Sequence, residues 1–426
     1  MERLFDNRKL SPDSIKLLKA SPLPSKSIDV GFQEAISNPI SAESLDREKF
    51  WSPAVVFADH TRKPSPFLPH ILKLFEDRTD DIKIICAGGS HVSSGKDHVS
   101  MVLGDDLYKR FQSSIFFSAT KNPNSKYEWI GATSRGTPVE VNKEILDRDL
   151  ILVTLNVQPH YFAGYEGGAK GILPGCSGLK TITSNHARVI GNMYGRELVI
   201  KSNPVREDMN EVPGLLADNM KIKVRNLDFV LNQDGSFVKA AFGDPVQAHM
   251  YLSEQYSRKI HTAVSRPAGV VLSVADGPLG RNLYQALKAA AFGSNIVAPN
   301  HQPKSIVVLI ATLEDGVGGE AFKHEMELYG KMDNPVKVIE DLRRRAKEGK
   351  ITEASQKANR LALDDSKCDL VVVSPTAPKD VQELLSKTKY AFYRGLDEAL
   401  GGLDSQLLKG DIIGMPFGSS TVPIPE

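Results

Sequence analysis

Short, nearly continuous apolar runs recur along the chain, at residues 54–58, 82–87, 149–157, 270–275, 305–312, 369–375 and 411–416. Runs of this length that are rich in β-branched residues are typical of strands buried on both faces of a parallel sheet. Helix-like stretches such as NLYQALKAAAFG and NPVKVIEDLRRRAKEG lie between them. The alternation predicts an α/β fold with mainly parallel sheets, in which the loops after the strands carry the active groups.

One segment departs from this alternation and helps to divide the chain. In residues 226–245 two short strands flank Asp234-Gly235, which predicts a hairpin with a type I′ turn. Further on, the sequence RPAG at 266–269 resembles a linker, and a chain of 426 residues is long enough for two or three domains. We therefore predict two α/β domains, at residues 1–265 and 266–426, with an active-site cleft between them, where small ligands commonly bind.

Composition narrows the class of protein. Lys and Arg number 53 against 52 Asp and Glu, a net charge of +1 that gives no reason to expect nucleic acid as a partner. The three cysteines lie far apart, which argues against a disulfide framework or a structural zinc knuckle. No apolar leader region opens the sequence, and no run approaches the roughly 18 apolar residues that span a bilayer. The composition predicts a soluble, cytoplasmic protein with no membrane partner.

Polar residues follow the first two predicted strands. Asp59 and Arg62 lie three residues apart, so they could hold a polar ligand with its anionic group, or simply pair in a surface turn. After the next strand, the glycines of Gly88-Gly89-Ser90 could expose backbone N–H groups to a phosphate. His91 follows at once and is placed for proton transfer near neutral pH, although a lone histidine is more often structural.

The stretch PHYFAGYEGGAKGILPG, residues 159–175, surrounds a single lysine with glycines. It is not a Walker A loop, because Ala169 precedes Lys170 and Gly171 follows it. Glycines such as Gly168 are instead expected to permit a close backbone approach or positive φ angles in a mobile loop. Lys170 could be a phosphate clamp, a Schiff-base amine or a covalent anchor, or merely a surface lysine on a flexible turn.

Two further predicted helices carry residues that could bind ligands. His186 lies near the start of a predicted helix, and one imidazole binds a metal only with other ligands from afar or from a cofactor. In the C-terminal half, Tyr284, Gln285 and Lys288 fall on one predicted helix, where Gln285 and Lys288 share a face. A lysine and an amide near a helix N-terminus would suit a carboxylate, although a solvated helix face is the simpler interpretation.

Taken together, these motifs resemble the lactate racemase-like family of nickel-pincer-nucleotide-dependent 2-hydroxyacid racemases and epimerases. The resemblance covers essentially the whole chain. It is carried by the segments ADHTRKP, AGGSH, SRGTPVEVN, PHYFAGYEGGAKGILPG, KTITSNH, NPVREDM, DGPLGRNLYQALKAA and EDGVGGEAF.

The resemblance implies a cofactor and a role for each candidate residue. The cofactor would be pyridinium-3-thioamide-5-thiocarboxylic acid mononucleotide carrying Ni²⁺, attached covalently to Lys170, with His186 as the protein's nickel ligand. His91 and His160 would be the paired acid and base. The remaining positions divide into cofactor contacts, at Asp59, Gly88, Gly89, Ser90 and Gly168, and substrate contacts, at Arg62, Tyr284, Gln285 and Lys288.

The implied reaction inverts the C2 stereocentre of a 2-hydroxyacid by reversible hydride transfer to the cofactor, with other proteins needed for cofactor synthesis and loading. Val92 and the segment SATKNPNSKYEW depart from the family pattern. They leave the substrate open among short 2-hydroxyacids such as lactate, malate-like diacids, aromatic lactates and sugar acids. Two alternatives stand beside this interpretation: a non-catalytic homologue that binds the cofactor or a 2-hydroxyacid, and a nucleotide-dependent dehydrogenase.

Overall fold

The computed structural model describes residues 15–426, so the charged stretch at residues 1–14 lies outside the described residues. Within that range the chain forms two compact units. The N-terminal unit comprises residues 22–188 and 194–260, and the C-terminal unit comprises residues 15–21, 189–193 and 261–426. The chain passes from the N-terminal to the C-terminal unit for the last time between residues 260 and 261, a few residues before the predicted boundary at 265 and 266. That the two halves are separate domains stays a prediction.

Helices and strands alternate along the described chain. The strands are β1 (Ile15–Leu17), β2 (Pro53–Ala58), β3 (Lys83–Gly89), β4 (Ile115–Ala119), β5 (Tyr127–Ala132), β6 (Pro138–Asn142), β7 (Leu150–Thr154), β8 (Pro159–His160), β9 (Gly164–Tyr165), β10 (Lys223–Leu231), β11 (Phe237–Gly243), β12 (Thr262–Ser265), β13 (Val270–Val274), β14 (Ile306–Ile310), β15 (Asp369–Val373), β16 (Ala391–Tyr393), β17 (Ile412–Met415) and β18 (Val422–Pro425). The helices are α1 (Ile28–Ser37), α2 (Leu68–Glu76), α3 (Lys96–Leu103), α4 (Asp105–Phe111), α5 (Leu179–Ala187), α6 (Pro204–Met220), α7 (Gln247–Leu252), α8 (Arg258–His261), α9 (Leu283–Gly293), α10 (Glu320–Tyr329), α11 (Pro335–Lys347), α12 (Ser355–Asp365), α13 (Lys379–Ser386) and α14 (Leu396–Gly401).

The main sheet of the N-terminal unit has the strand order β11-β10-β7-β2-β3-β4. Every pairing is parallel except that of β10 with β11. All residues of β2 and β7 are buried, which agrees with central strands covered on both faces. The prediction of a mainly parallel α/β fold is therefore confirmed, and the ends of β2 and β3 bring two of the candidate loops side by side.

The main sheet of the C-terminal unit has the order β1-β17-β13-β14-β15-β16 and is parallel throughout. Its edge strand β1 comes from the beginning of the described chain, with Ile15 opposite Ile412. The apolar runs predicted at 270–275, 305–312, 369–375 and 411–416 supply β13, β14, β15 and β17. The three residues of β1 are too few for an apolar pattern to show in the sequence, so this pairing was not predicted.

The predicted hairpin is present, but its turn is not type I′. Strands β10 and β11 are antiparallel, and the N–H of Gly235 donates to the carbonyl of Asn232 at 2.9 Å. A type I′ turn needs positive φ at both central residues, whereas Gly235 alone has it in this loop, at +92°. The loop is one residue longer than the Asp-Gly pattern suggests, and the strand register shifts between Val230 and Leu231.

Helix starts follow the capping chemistry that the sequence suggests. Asn334 caps α11 by accepting from two backbone N–H groups, with Pro335 in the first turn. Asn282 caps α9 by accepting from the N–H of Gln285, which fixes where the helix with the candidate ligands begins. Within residues 15–426, no helix combines the length and the apolar character needed to cross a membrane.

An aromatic cluster occupies the core of the N-terminal unit. Phe67, which is fully buried, lies 5.4 Å from Phe237 and 5.9 Å from both Phe32 and Phe229, measured between ring centroids. These tilted and edge-to-face contacts join α1, the β10–β11 hairpin and the start of α2. The packing of these elements against one another therefore depends on this ring.

We expect Phe67→Ala to lower the free energy of unfolding by about 3–5 kcal/mol, because it removes a buried ring and leaves a cavity. Urea denaturation followed by circular dichroism measures the change. Met101→Ala, at a position 69% exposed on α3, is the matched control and should change stability by less than about 0.5 kcal/mol. A loss at Phe67 no larger than that of the control would contradict the assigned core.

Candidate active site

The two units divide the candidate residues between them. Most lie in the N-terminal unit, namely Asp59, Arg62, Gly88, Gly89, Ser90, His91, His160, Gly168, Lys170 and His186. The three helical candidates, Tyr284, Gln285 and Lys288, lie on α9 of the C-terminal unit. The predicted cleft between the units stays a prediction.

Asp59 and His91 form a hydrogen-bonded pair at the adjacent ends of β2 and β3. The Asp59 Oδ2 lies 2.7 Å from the His91 Nδ1, and Oδ1 accepts from the hydroxyl and N–H of Thr61. Burial alone would raise the pKa of Asp59, but the charge and hydrogen bond of His91, with Arg62, lower it to about 2. Because an ionised carboxylate only accepts, the Nδ1 of His91 must be the donor, and the neutral ring carries its lone pair on Nε2.

The carboxylate of Glu166 links three other side chains of the site. Its Oε2 accepts from the Lys170 Nζ at 2.8 Å, and its Oε1 accepts from the Arg62 Nε at 3.1 Å. The His160 Nε2 lies 3.9 Å from the same Oε1. The side chains of Glu166, Lys170 and Arg62 are 8%, 10% and 15% exposed, so their charges interact in a low-dielectric environment. Glu166 was not predicted as a site residue, although its position four residues before Lys170 was a usable signal.

The pKa of Lys170 lies well below that of an ordinary lysine. Burial, with the charges of Arg62 and Arg206, lowers it to about 8 against the opposing charge of Glu166. An ordinary lysine has a pKa of about 10.4. The ammonium is therefore the main form at neutral pH, with roughly a tenth present as the nucleophilic amine. The side chain is only 10% exposed, so the interpretation as a surface lysine on a flexible turn is wrong.

The glycines around Lys170 serve both purposes that the sequence left open. Gly167 and Gly168 have φ angles of +84° and +67°. A Cβ on Gly168 would lie 2.8 Å from the His249 ring, and one on Gly164 would lie 2.2 Å from the carbonyl oxygen of Val199. The loop is not an exposed mobile segment, because residues 161–169 are all buried.

Two buried charges outside the predicted set fix this loop. The guanidinium of Arg206, on α6, donates to the carbonyls of Ala163 and Gly167 at 3.0 Å each and also to that of Tyr165. Asp228, on β10, accepts from the N–H of Gly168 at 2.6 Å. Burial lowers the pKa of Arg206 to about 10, and burial raises the pKa of Asp228 to about 6.

The sequence pointed to only one of these two buried residues, Arg206. Arg206 lies in the segment NPVREDM, which contributed to the family resemblance without a role being assigned to it. Asp228 lies in a strand of the predicted hairpin, where nothing in the local pattern indicates that its carboxylate bonds to a loop 60 residues away. Both residues were missed as parts of the site.

His186 is presented with a lone pair on Nε2. Asn185 uses its amide nitrogen to donate to the Val205 carbonyl and to Asp208, at 3.0 and 2.9 Å, so its oxygen is the acceptor facing the His186 Nδ1 at 3.0 Å. Burial, with the charges of Lys170 and His91, lowers the pKa of His186 to about 3. A neutral imidazole with a defined tautomer is what a metal ion requires.

His160 has the opposite tautomer to His91. Its Nδ1 accepts from the backbone N–H of Ala163 at 3.2 Å, so the neutral ring carries its proton on Nε2. The ring stacks on Tyr161 with centroids 4.9 Å apart and meets Phe162 edge-on at 4.5 Å. Among residues 15–426, no three or more His, Cys, Asp or Glu side chains are grouped so as to hold a metal ion.

The Gly88-Gly89 turn packs against the end of the glycine loop. Gly89 has a φ of +56°, and its N–H donates to the carbonyl of Gly175 at 3.1 Å. That N–H is thus already bonded within the protein, which is a physical reason to doubt the expected phosphate cradle at this residue. Cofactor contacts at Gly88, Gly89 and Ser90 stay a prediction.

The three candidates on α9 are not on a solvated face. Lys288 and Gln285 are 2% and 7% exposed, so that simpler interpretation is wrong. The Tyr284 hydroxyl accepts from the Gln356 amide at 2.7 Å, and the Lys357 Nζ lies 4.9 Å from the Tyr284 ring centroid. Gln356 and Lys357, both on α12, were not predicted to be near these residues.

Comparisons with known proteins agree with the resemblance in the sequence. A family model described as the lactate racemase N-terminal domain matches residues 10–196, and one described as the C-terminal domain matches residues 263–409. A lactate racemase of Thermoanaerobacterium thermosaccharolyticum is 30% identical over 302 residues, covering 68% of this chain and 67% of the relative. One from Lactiplantibacillus plantarum is 25% identical over 317 residues, covering 72% and 71%.

Solved structures extend the similarity to the whole chain. The lactate racemase apoprotein of Thermoanaerobacterium thermosaccharolyticum superposes with a TM-score of 0.81 at 25% identity, covering 97% of this chain and 96% of that one. A crystal structure of a Thermotoga maritima protein gives a TM-score of 0.70 at 15% identity, covering 96% and 100%, and it supports the fold alone.

We expect Lys170 of the cofactor-free protein to react with an acylating reagent with a midpoint near pH 8. Trace acetylation across a pH series, read by peptide mass spectrometry, measures it, with exposed lysines as the internal reference near pH 10.4. Glu166→Gln should move the midpoint to lower pH, since Glu166 favours the ammonium. A Lys170 midpoint equal to that of the exposed lysines would contradict this electrostatic account.

Proposed function

The chain belongs to the lactate racemase family, and from this premise we propose that it is a nickel-dependent racemase or epimerase of a 2-hydroxyacid. The reaction would invert the C2 stereocentre, with the cofactor attached at Lys170 and the nickel bound by His186. Both relatives compared above are lactate racemases by name, which makes lactate the first substrate to test. Malate-like, aromatic and sugar 2-hydroxyacids are the other candidates.

The state of Lys170 and His186 carries the proposal. The amine form of a lysine with a pKa of about 8 can attack an acyl carbon, which expels its leaving group as the nitrogen loses a proton, to give an amide-type bond. A neutral imidazole with its lone pair on Nε2 can bind a metal ion. The charge of Lys170 lowers the pKa of His186, so the two groups lie within electrostatic reach of each other. These are the properties that a covalently attached, metal-bearing group needs from its protein.

The residues present therefore fit the family's cofactor. Lys170 would hold it covalently, His186 would supply the one protein ligand to nickel, and the cofactor itself would bring the other donor atoms. The chemistry supplied by the bound group is the reversible acceptance of the substrate's α-hydrogen as a hydride. Binding, orientation and proton transfer are left to the side chains of this chain.

The tautomers of the two histidines support different roles in proton transfer, with His91 as the base and His160 as the acid. His91 donates Nδ1–H to Asp59, so its Nε2 can accept the proton of the substrate hydroxyl, and the ionised Asp59 stabilises the resulting imidazolium. His160 presents Nε2–H; to act as the acid it would first take up a second proton at Nδ1, in place of the hydrogen bond from Ala163, and it would be left as a neutral ring after donating from Nε2. The next turnover in the reverse direction exchanges these roles, as inversion of either isomer requires.

The proposed ligands of the substrate carboxylate are Arg62, Tyr284, Gln285 and Lys288. A buried lysine beside an amide and a phenol makes a receptor for a carboxylate, because a charge-assisted hydrogen bond is strong where water is excluded. In this structure Arg62 donates to Glu166 and to Thr61, which holds its guanidinium in a defined orientation.

We expect protein co-expressed with cofactor-making enzymes to carry a covalent adduct and to interconvert the isomers of lactate or another 2-hydroxyacid. Lys170→Ala should lose both, since no other group replaces the attachment point. Intact-mass measurement and chiral chromatography on a substrate panel provide the two readouts, with Lys180→Ala, an exposed lysine on α5, as the control.

Three outcomes would contradict the proposal in different ways. An unmodified mass after co-expression would contradict covalent attachment of the cofactor. An adduct without interconversion of any isomer pair would favour a non-catalytic binding homologue. Turnover that depends on added nicotinamide nucleotide, without nickel, would favour a dehydrogenase.

We expect His186→Ala to retain the Lys170 adduct but to lose nickel, because attachment and metal binding use different residues. Intact mass gives the adduct, and elemental analysis gives the nickel content per chain. His70→Ala, which removes a histidine that pairs with Asp29 at the surface, is the control and should keep both. Loss of adduct and nickel together would mean that the metal, and not the lysine, holds the cofactor.

A further inference from the structure

Glu166 accepts hydrogen bonds from Lys170 and Arg62 and lies near a third side chain, His160. Its carboxylate accepts from Lys170 at 2.8 Å, whereas the His160 Nε2 is 3.9 Å from Oε1, about 1 Å beyond hydrogen-bonding distance. His160 already carries its proton on the nitrogen that lies nearer this carboxylate, since its Nδ1 accepts from Ala163. A small movement of the Glu166 side chain would therefore complete a hydrogen bond to His160.

The main chain keeps Glu166 and His160 beside each other, so a change of partner would involve only the carboxylate of Glu166. The N–H of Glu166 donates to the Gln158 carbonyl at 2.7 Å, and its carbonyl accepts from the His249 Nε2 at 2.9 Å. The short strands β8 and β9 pair His160 with Gly164, just before Glu166. The backbone positions on both sides are thus fixed, and the carboxylate is the part that can change partner.

We propose that Glu166 is a positioning residue that holds Lys170 before cofactor attachment and His160 after it, so that loading of Lys170 also orients His160. This role rests on the proposed function, in which the nitrogen of Lys170 loses its positive charge on becoming part of an amide-type bond. A buried carboxylate that loses an ammonium partner is stabilised by further hydrogen bonds from its neighbours. Arg62 already donates to Oε1 at 3.1 Å, and His160, with Nε2 at 3.9 Å, is close enough for a small shift of the carboxylate to add a second bond.

Other charged and titratable groups surround Glu166 and His160 without changing on attachment. Arg62, in the loop after β2, stays bonded to Oε1, and Arg206 on α6 stays bonded to the loop carbonyls. His249 on α7 donates to the backbone of Glu166, Asp228 on β10 holds Gly168, and His186 on α5 is neutral. Neutralising Lys170 thus removes one positive charge from the site and leaves the charges of these neighbouring groups as they are.

The test compares two ways of changing Lys170 in the full-length, cofactor-free protein. Lys170→Met removes the charge, and Lys170→Arg keeps it. Each is made with Glu166 present and with Glu166→Gln, and the titration of His160 is followed by NMR, assigned with His160→Gln. Removing a nearby cation favours the imidazolium by itself, so the comparison between the two backgrounds isolates the contribution of Glu166.

We expect Lys170→Met to move the His160 titration to higher pH when Glu166 is present, and to move it by less than half as much in the Glu166→Gln background. Lys170→Arg should leave it near the parent value. An equal shift in both backgrounds would overturn the proposal, because the effect would then be simple loss of a cation. No shift in either background would overturn it as well.

A crystal structure of the Lys170→Met protein provides a second test that does not need Glu166→Gln to fold. The distance from the Glu166 carboxylate to the His160 Nε2 is expected to fall from 3.9 Å to about 2.8 Å. An unchanged distance would overturn the proposal. Both measurements use protein without cofactor, so their failure is distinct from failure of the proposed function, which the intact mass of loaded protein tests.

Discussion

The guanidinium of Arg206 fixes the loop on which the candidate site depends. It is fully buried and bonds to three carbonyls of the glycine stretch, while Asp228 holds the N–H of Gly168 from another element. Buried charges of this kind are costly to dehydrate and are retained where each donor finds an acceptor. The loop adopts positive φ angles and close contacts because this frame stabilises them, and Lys170 is thereby placed beside Glu166 and Arg62.

That frame also sets the electrostatics of the site. With the loop buried, the pKa of Lys170 falls to about 8 and that of His186 to about 3, so His186 is neutral and the uncharged amine of Lys170 is a minor but accessible form near neutral pH. The same burial gives the carboxylate of Glu166 a strong effect on Lys170 and Arg62, because charges at short range interact strongly where water is excluded. The proposed cofactor attachment, metal binding and proton transfer would all depend on this buried arrangement of charges.

Much of the fold was predictable because central parallel strands are buried on both faces and are therefore apolar throughout, as at 54–58 and 270–275. The candidate loops were predictable for the same reason, since Asp59 and His91 follow adjacent strands. Residues acting through tertiary contact were not: Asp228 and Gln356 reach their partners across 60 and 72 positions of sequence. The pairing of β1 with β17 and the shape of the turn at Gly235 depend likewise on contacts that no local pattern contains.

The central claim is that the protein moves the α-hydrogen of its substrate as a hydride between the two faces of one carbon, with Lys170 and His186 holding the group that accepts it. The most direct measurement follows a 2-hydroxyacid labelled with deuterium at C2, incubated with nickel-loaded protein in ordinary water. The account predicts that the opposite isomer forms with its deuterium retained. Loss of the label to solvent during inversion would contradict it, because that result indicates removal of the α-hydrogen as a proton.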